Sequence, residues 1–137
     1  MTASRVALYQ ALYDLAPPAD VVKNFVGEAP GTATAPWLVL NVETPDSVHN
    51  LARGHLGGTL RLRVTCVADD VYRCHWLVDQ ADRAFRGARV SVPGWSTGLL
   101  SRTQQSGPYK AGLTATDTNL RYQVAQLWYS LTASATG

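Results

Sequence analysis

Charged residues are scarce in this chain, at 16% of its 137 residues, whereas a typical soluble domain has about 25%. The 12 lysines and arginines are nearly balanced by 10 acidic residues, which leaves a net charge of +2. This balance excludes the strongly basic surface of proteins that bind nucleic acid through its phosphates alone. The low charge content predicts that other protein subunits cover part of the surface.

Cysteines and long apolar segments are also scarce. The 2 cysteines, Cys66 and Cys74, fit neither a disulfide framework nor a C-x-x-C redox or zinc motif, so we interpret both as buried thiols. The longest apolar runs, such as residues 37–40, are far shorter than the roughly 20 residues that cross a membrane. The first residues have no apolar stretch of the signal-peptide type. We therefore expect a protein of the reducing cytoplasm that does not enter a membrane.

The apolar share of the sequence is 46%, which excludes disorder and is ample for a hydrophobic core. A chain of about this size buries roughly two thirds of its unfolded surface. We expect residues 1–137 to form a single domain.

Hydrophobic periodicity predicts two helices and several strands. The first helix follows the spacing of Val6, Tyr9, Leu12 and Tyr13 and stops before Pro17-Pro18. A short strand at residues 21–26, a loop at 28–36 and a strand at 37–43 follow. Residues 44–58, rich in glycine and polar residues, are predicted to form a long loop.

The clearest strand and helix lie in the middle of the chain. Leu60, Leu62, Val64 and Cys66 alternate with polar residues, so one strand face is core. Asp69 or Asp70 is then expected to cap a helix. The apolar stripe of this helix is Val71, Cys74, Leu77, Val78, Ala81 and Phe85, and Gly87 fits its left-handed end.

The last third reads mostly as strands. We predict strands at residues 88–92, 98–103 and 120–132, with a Pro93-Gly94 turn, a second long loop at 104–119 and a frayed tail at 133–137. Two helices against one mostly antiparallel sheet make an α+β fold.

One sequence motif is typical of a catalytic serine. Residues 94–98, GWSTG, match the G-x-S-x-G elbow that exposes a serine nucleophile between a strand and a helix. Here the flanking residues read as strand and turn, and all three histidines precede Ser96, against the chain order of that fold. We expect the glycines to serve turn geometry and assign no catalytic residue.

The histidines and the carboxylate pair favour neither a metal nor a cofactor. None of His49, His55 and His75 has a partner at the spacing of a helical zinc site, which favours solvated or interface roles. The adjacent carboxylates of Asp69 and Asp70 need no metal, because acidic side chains are stabilised at a helix N-terminus. We predict no metal site and no cofactor.

The candidate interface residues are basic or aromatic. Arg61 and Arg63 share one strand face, with Arg53 in the loop before them, and a subunit interface or a solvated face is favoured over phosphate contact. Trp37 and Trp128 are expected in the core, whereas Trp95 follows a turn and suits a partner pocket. The full set of interface or lumen candidates is Arg53, Arg61, Arg63, Trp95, His49, His55 and Tyr109.

A resemblance to a known family rests on residues 62–95, LRVTCVADDVYRCHWLVDQADRAFRGARVSVPGW. The VTCV strand, the WLVD helix segment, the helix end at residues 83–87 and the closing VSVPG resemble tail terminator proteins of long-tailed bacteriophages, especially those that infect actinobacteria. The N-terminal helix, the PWLV strand and the final strand from RYQV onward follow in the family's order. The resemblance therefore covers nearly the whole chain.

The resemblance implies a structural virion protein made in the host cytoplasm. Such a protein forms a hexameric ring on the tail tube, ends tube elongation and offers the docking surface for the head. Its partners are further copies of itself, the tail tube protein and the head-tail connector, and genomic DNA crosses its lumen without sequence-specific binding. The alternatives are a head-tail connector or stopper of the same virion, a small Ser96 hydrolase, and a cytoplasmic ligand-binding module.

Overall fold

The computed structural model describes residues 4–30, 34–43, 57–114 and 121–136. It is a single α+β domain in which two helices pack on a six-stranded, mostly antiparallel sheet, as predicted. The elements are α1 (Arg5–Tyr13), β1 (Lys23–Val26), β2 (Trp37–Glu43), β3 (Gly57–Ala68), α2 (Val71–Phe85), β4 (Trp95–Thr97), β5 (Ser101–Thr114) and β6 (Arg121–Ala135).

The strand order in the sheet is β1-β2-β3-β6-β4, and β5 also pairs with β6. Only the β1–β2 pair is parallel among the described strands. β4 and β5 share the edge of β6, since β4 pairs with residues 133–135 and β5 with residues 121–130.

The predicted alternation on β3 is confirmed and defines the two faces of the sheet. Leu60, Leu62, Val64 and Cys66 are buried, and the odd-numbered residues of β6 opposite them are buried as well. We call this side the inner face, because the apolar residues of both helices join its core cluster. The other side, which includes Arg61 and Arg63, is the outer face.

The helix α2 follows the sequence prediction closely. Its cap is Asp70, whose carboxylate accepts a 2.8 Å hydrogen bond from the Arg73 backbone amide. The predicted stripe is buried except for Val71, which lies at its edge and is 39% exposed. Gly87 has φ +78°, the left-handed conformation expected beyond a helix end.

The helix α1 is confirmed, but its predicted face is partly wrong. Leu8 and Leu12 enter the core, whereas Val6 is 77% exposed. Ser4 caps the helix through a 3.2 Å hydrogen bond from the Ala7 amide, which fixes where the first turn begins. The helix ends at Tyr13, ahead of Pro17, as expected.

Several predicted boundaries are corrected. Residues 104–114 belong to β5, residues 57–58 to β3 and residues 133–135 to β6, so these parts of the two predicted loops and of the predicted frayed tail are strand. Residues 88–92 and 98–100 form no strand, although two backbone hydrogen bonds join Gly87 and Ala88 to Leu100. The remaining parts of the predicted loops, 44–56 and 115–119, lie outside the described residues.

Candidate assembly surfaces

Three of the predicted interface residues share the outer face of the sheet. Register places Arg61 opposite Glu43 and Ser130, and Arg63 opposite Asn41 and Trp128. Tyr109, on β5, pairs with Val124 and so shares the same side. The outer-face residues of β2, β3 and β6 that rim this set are Trp37, Val39, Thr65, Val67, Tyr122 and Gln126.

A small ion cluster organises the charged half of the outer face. Arg61 Nη2 lies 2.9 Å from Glu43 Oε2, and Arg63 Nε lies 3.3 Å from Glu43 Oε1. The three side chains are 40%, 38% and 27% exposed, in the order Arg61, Arg63, Glu43. Partly exposed pairs of this kind contribute about 0–1 kcal/mol each. One carboxylate for two guanidinium groups leaves this half of the face positive.

Aromatic rings occupy the other half of the outer face. Trp37 and Tyr122 meet edge to face with ring centroids 5.4 Å apart, and Trp37 is buried, as predicted. Trp128 is half-buried beside Arg63, which corrects the expectation that it lies in the core. Tyr109 is 43% exposed. Tryptophan, tyrosine and arginine together are the residues that dominate protein interfaces.

A second aromatic surface lies on α2. Tyr72, Trp76 and Asp79 are spaced at i, i+4 and i+7, so they share one helix face, opposite the buried stripe. Tyr72 is 83% exposed and Trp76 is 40% exposed. With Asp70 and Arg73, the two rings line an open depression near the helix start. We call Tyr72, Trp76 and Asp79 the helix stripe.

The helix stripe was not predicted from the sequence, because the apolar period of α2 identifies only its buried side. The available signal was two large aromatic residues at positions that the helical period assigns to solvent, since an exposed aromatic pair is a mark of a partner site. Glu43 was missed for another reason. Its pairing with Arg61 depends on the register between β2 and β3, which no local pattern fixes.

The sheet edges are less suited to pairing with another chain. β5 pairs only with β6 among the described strands, and three register irregularities interrupt it. It also carries Pro108, which has no amide hydrogen to donate. β1, at the opposite edge, has only 4 residues and begins with Lys23. Bulges, proline, lysine and shortness are the features that protect edge strands from pairing.

Trp95 lies away from both surfaces. Its ring packs against the hydrophobic core, and its Nε1 donates a 3.0 Å hydrogen bond to the Ser4 carbonyl. This contact attaches the first residue of β4 to the residue that caps α1. The hydrogen bond to Ser4 and the packing on the core explain why a tryptophan suits this position. The role of Trp95 in a partner pocket stays a prediction.

Ser96 lies in β4, where it pairs with Ser134 of β6. Ser96 is therefore the middle residue of a short strand, whereas the elbow motif needs a serine at a strand-to-helix turn. Both glycines have structural reasons. Gly94 has φ +86°, and a Cβ on Gly98 would lie 2.9 Å from Thr132 Oγ1.

The remaining candidates divide between exposed positions and undescribed ones. His75 is exposed on α2, whereas Arg53, His49 and His55 lie outside the described residues. Asp69 lies 3.9 Å from the Arg73 guanidinium, at the capped start of α2. Within residues 4–30, 34–43, 57–114 and 121–136, no three His, Cys, Asp or Glu side chains group as metal ligands.

Both cysteines are free and buried, as predicted. Burial raises the pKa of the Cys74 thiol to about 11, and burial raises that of Cys66 further, helped by the nearby Cys74. A thiol that stays protonated is a poor nucleophile and a poor metal ligand. These residues therefore act as packing groups.

None of the helices in the part of the chain that the structure describes has the length and apolar character needed to span a bilayer. No protein-family model matches this sequence, and no curated protein matches it either.

Proposed function

We propose that this chain is a structural virion protein that forms a ring, of six copies by its resemblance to tail terminators, at the end of a phage tail tube. In this role it ends tube growth and presents the surface to which the head docks. The tail tube protein and the head-tail connector are its neighbours, and genomic DNA crosses the ring without sequence-specific contacts. The proposal gives Ser96 no catalytic part.

The observation that supports this role best is the composition of the outer face. Both described helices pack on the inner face, yet the outer face holds Trp128, Tyr109, Arg61 and Arg63. A sheet face that only contacts water needs no such aromatic and arginine cluster. A subunit interface uses these residue types preferentially.

The resemblance of residues 62–95 to tail terminators suggests which ring this subunit would form, namely the one at the end of the tail tube. Those residues supply most of β3, all of α2 and the turn before β4. The low charged share, 16%, suits a subunit whose surface is largely covered by neighbours. The net charge of +2 is small enough for DNA to pass without strong retention.

The experiment is to assemble phage particles without this chain and to measure tail lengths by electron microscopy. We expect overlong tails of variable length without heads, and normal particles when purified protein is present during assembly. Tails of normal length that merely fail to join heads would favour a connector or stopper. Normal joined particles would overturn the proposal.

A further inference from the structure

The two aromatic surfaces lie on opposite sides of the subunit. α2 places its buried stripe on the inner face of the sheet, so the helix stripe of Tyr72, Trp76 and Asp79 points away from the sheet. The outer face lies on the other side of the sheet from α2. A subunit with two different partner surfaces on opposite sides can bind a further copy of itself head to tail.

The charges on the two surfaces are complementary. On the outer face, Arg61 and Arg63 share the single carboxylate of Glu43. The Nε of Arg61 is also shielded from solvent and lacks a hydrogen-bond acceptor among the described residues. On the helix stripe, Asp79 is exposed and has no ion-pair partner in the described ranges. An excess arginine therefore lies on one side of the subunit and an unpaired aspartate on the other.

We propose that copies of this chain associate head to tail, with the helix stripe of one copy seated on the outer face of the next. The inference rests on the proposed ring and names the surfaces that form it. Tyr72 and Trp76 supply the apolar contact against the accessible rings of the outer face, Trp128 and Tyr109. Asp79 supplies the carboxylate that balances the arginine pair.

A back-to-back pairing of two outer faces is less favourable. It brings the arginine clusters of two copies toward each other, and like charges that face each other across an interface repel. It also leaves Tyr72, which is 83% exposed, without a partner. Edge-to-edge pairing is also unfavourable, because the β5 edge is irregular and the β1 edge is short.

Two single substitutions separate the two surfaces. Tyr72→Asp disrupts the helix stripe at a side chain that hardly contacts the core, and Arg63→Glu reverses the excess charge of the outer face. Gln126→Glu, near the centre of the outer face, is a second outer-face variant with almost unchanged shape. Leu99→Asp is the matched control, because Leu99 is an exposed apolar residue, 56% accessible, between β4 and β5.

The measurement is sedimentation equilibrium of the full chain over a wide concentration range, with thermal unfolding to verify that each variant folds. The wild type and Leu99→Asp are expected to form assemblies larger than dimers. Tyr72→Asp and each outer-face variant alone are expected to associate at least about tenfold more weakly. An equimolar mixture of Tyr72→Asp with an outer-face variant is expected to form a dimer that grows no further, because only one intact surface pair remains.

Three outcomes overturn this pairing. They are a folded Tyr72→Asp that assembles like the wild type, a mixture that stays monomeric while the wild type assembles, and a wild type that stays monomeric at every concentration. None of these outcomes decides the result of the tail-length experiment, which tests the ring function separately. Normal control of tail length together with any of these outcomes would retain the proposed function and reject these surfaces.

Discussion

The hydroxyl of Tyr129 donates a 2.6 Å hydrogen bond to Asp82 Oδ1, which joins the inner face of β6 to α2. The other carboxylate oxygen of Asp82 lies 2.9 Å from Arg102 Nη1 on β5. Tyr129 is fully buried and its ring lies 5.6 Å from that of Phe85, centroid to centroid. One carboxylate therefore holds α2, β5 and β6 together, and fixes the helix stripe relative to the sheet.

Tyr129→Phe should lower the free energy of unfolding by about 1.5–3 kcal/mol, because it removes a buried hydrogen bond to a charged group while keeping the ring. Tyr122→Phe is the matched control, since the Tyr122 ring packs on Trp37 and no hydrogen bond of its hydroxyl lies within the described part of the chain. Urea denaturation measures both. Equal effects of the two changes would contradict the structural role of the Tyr129 hydroxyl.

Stability should fall in alkaline solution. Burial, then the hydrogen bond to Asp82, raises the pKa of Tyr129 above its ordinary value, and burial raises the pKa of Cys74 to about 11. Below the unfolded-state pKa values both states hold these protons, and the groups contribute fully. At higher pH the unfolded chain loses protons that the folded chain keeps, so the free energy of unfolding falls by up to about 1.4 kcal/mol per pH unit and group.

The check is urea denaturation from pH 8 to pH 11. Tyr129→Phe should make the decline above pH 10 shallower than in the wild type. Parallel curves for the wild type and Tyr129→Phe would show that Tyr129 does not hold its proton more tightly in the folded state.

The sequence predicted the central strand and helix well because their signals are local. β3 alternates with a strict period of two, and α2 has a capping aspartate, a continuous apolar stripe and a glycine after its end. Such patterns need no knowledge of the rest of the chain. The inner face of β3 and, except for Val71, the buried stripe of α2 could therefore be predicted residue by residue.

The missed elements depend on distant pairing. Residues 104–114 are polar and contain glycine and proline, which locally indicates a loop, yet β6 holds them as a strand through cross-strand hydrogen bonds. Residues 133–135 extend β6 because β3 and β4 flank them. The Glu43–Arg61 pair likewise depends on register, so the arginines could be placed on one face but their counterion could not.

Leu77→Ala should cost about 2–5 kcal/mol, because Leu77 is fully buried between α2 and the sheet and its loss leaves a cavity. Val71→Ala, at the exposed edge of the same helix, should change stability by less than about 1 kcal/mol. Chemical denaturation compares the two. Similar costs would show that the buried face of α2 is assigned wrongly, and a stably folded Leu77→Asp or Leu62→Asp would show the same.

Gly107→Ala should destabilise the protein more than Gly87→Ala. Both glycines have positive φ, +88° and +78°, which costs about 1–2 kcal/mol for alanine. Only at Gly107 would the new Cβ also meet backbone, 2.5 Å from the Val124 carbonyl oxygen, whereas the space at Gly87 is open. Thermal unfolding of the two variants gives the difference, and equal melting temperatures would contradict the close approach of β5 to β6.

Ser96→Ala should leave stability within about 0.5 kcal/mol of the wild type and leave head joining unchanged, because the Ser96 side chain is exposed on β4. Trp95→Ala, one residue earlier, should cost at least about 2 kcal/mol through lost core packing and the lost bond to Ser4. Melting curves and counts of joined particles test both. A folded Ser96→Ala variant that fails in assembly would contradict the structural interpretation of the motif.

The most direct test of the central claim is cryo-electron microscopy of the neck of an intact particle. The account predicts a single layer of six copies of this fold in contact with the last ring of the tail tube, with the helix stripe of each copy against the outer face of its neighbour. A ring of this chain that contacts only the head-side connector, or a neck with no density for this fold, would contradict it.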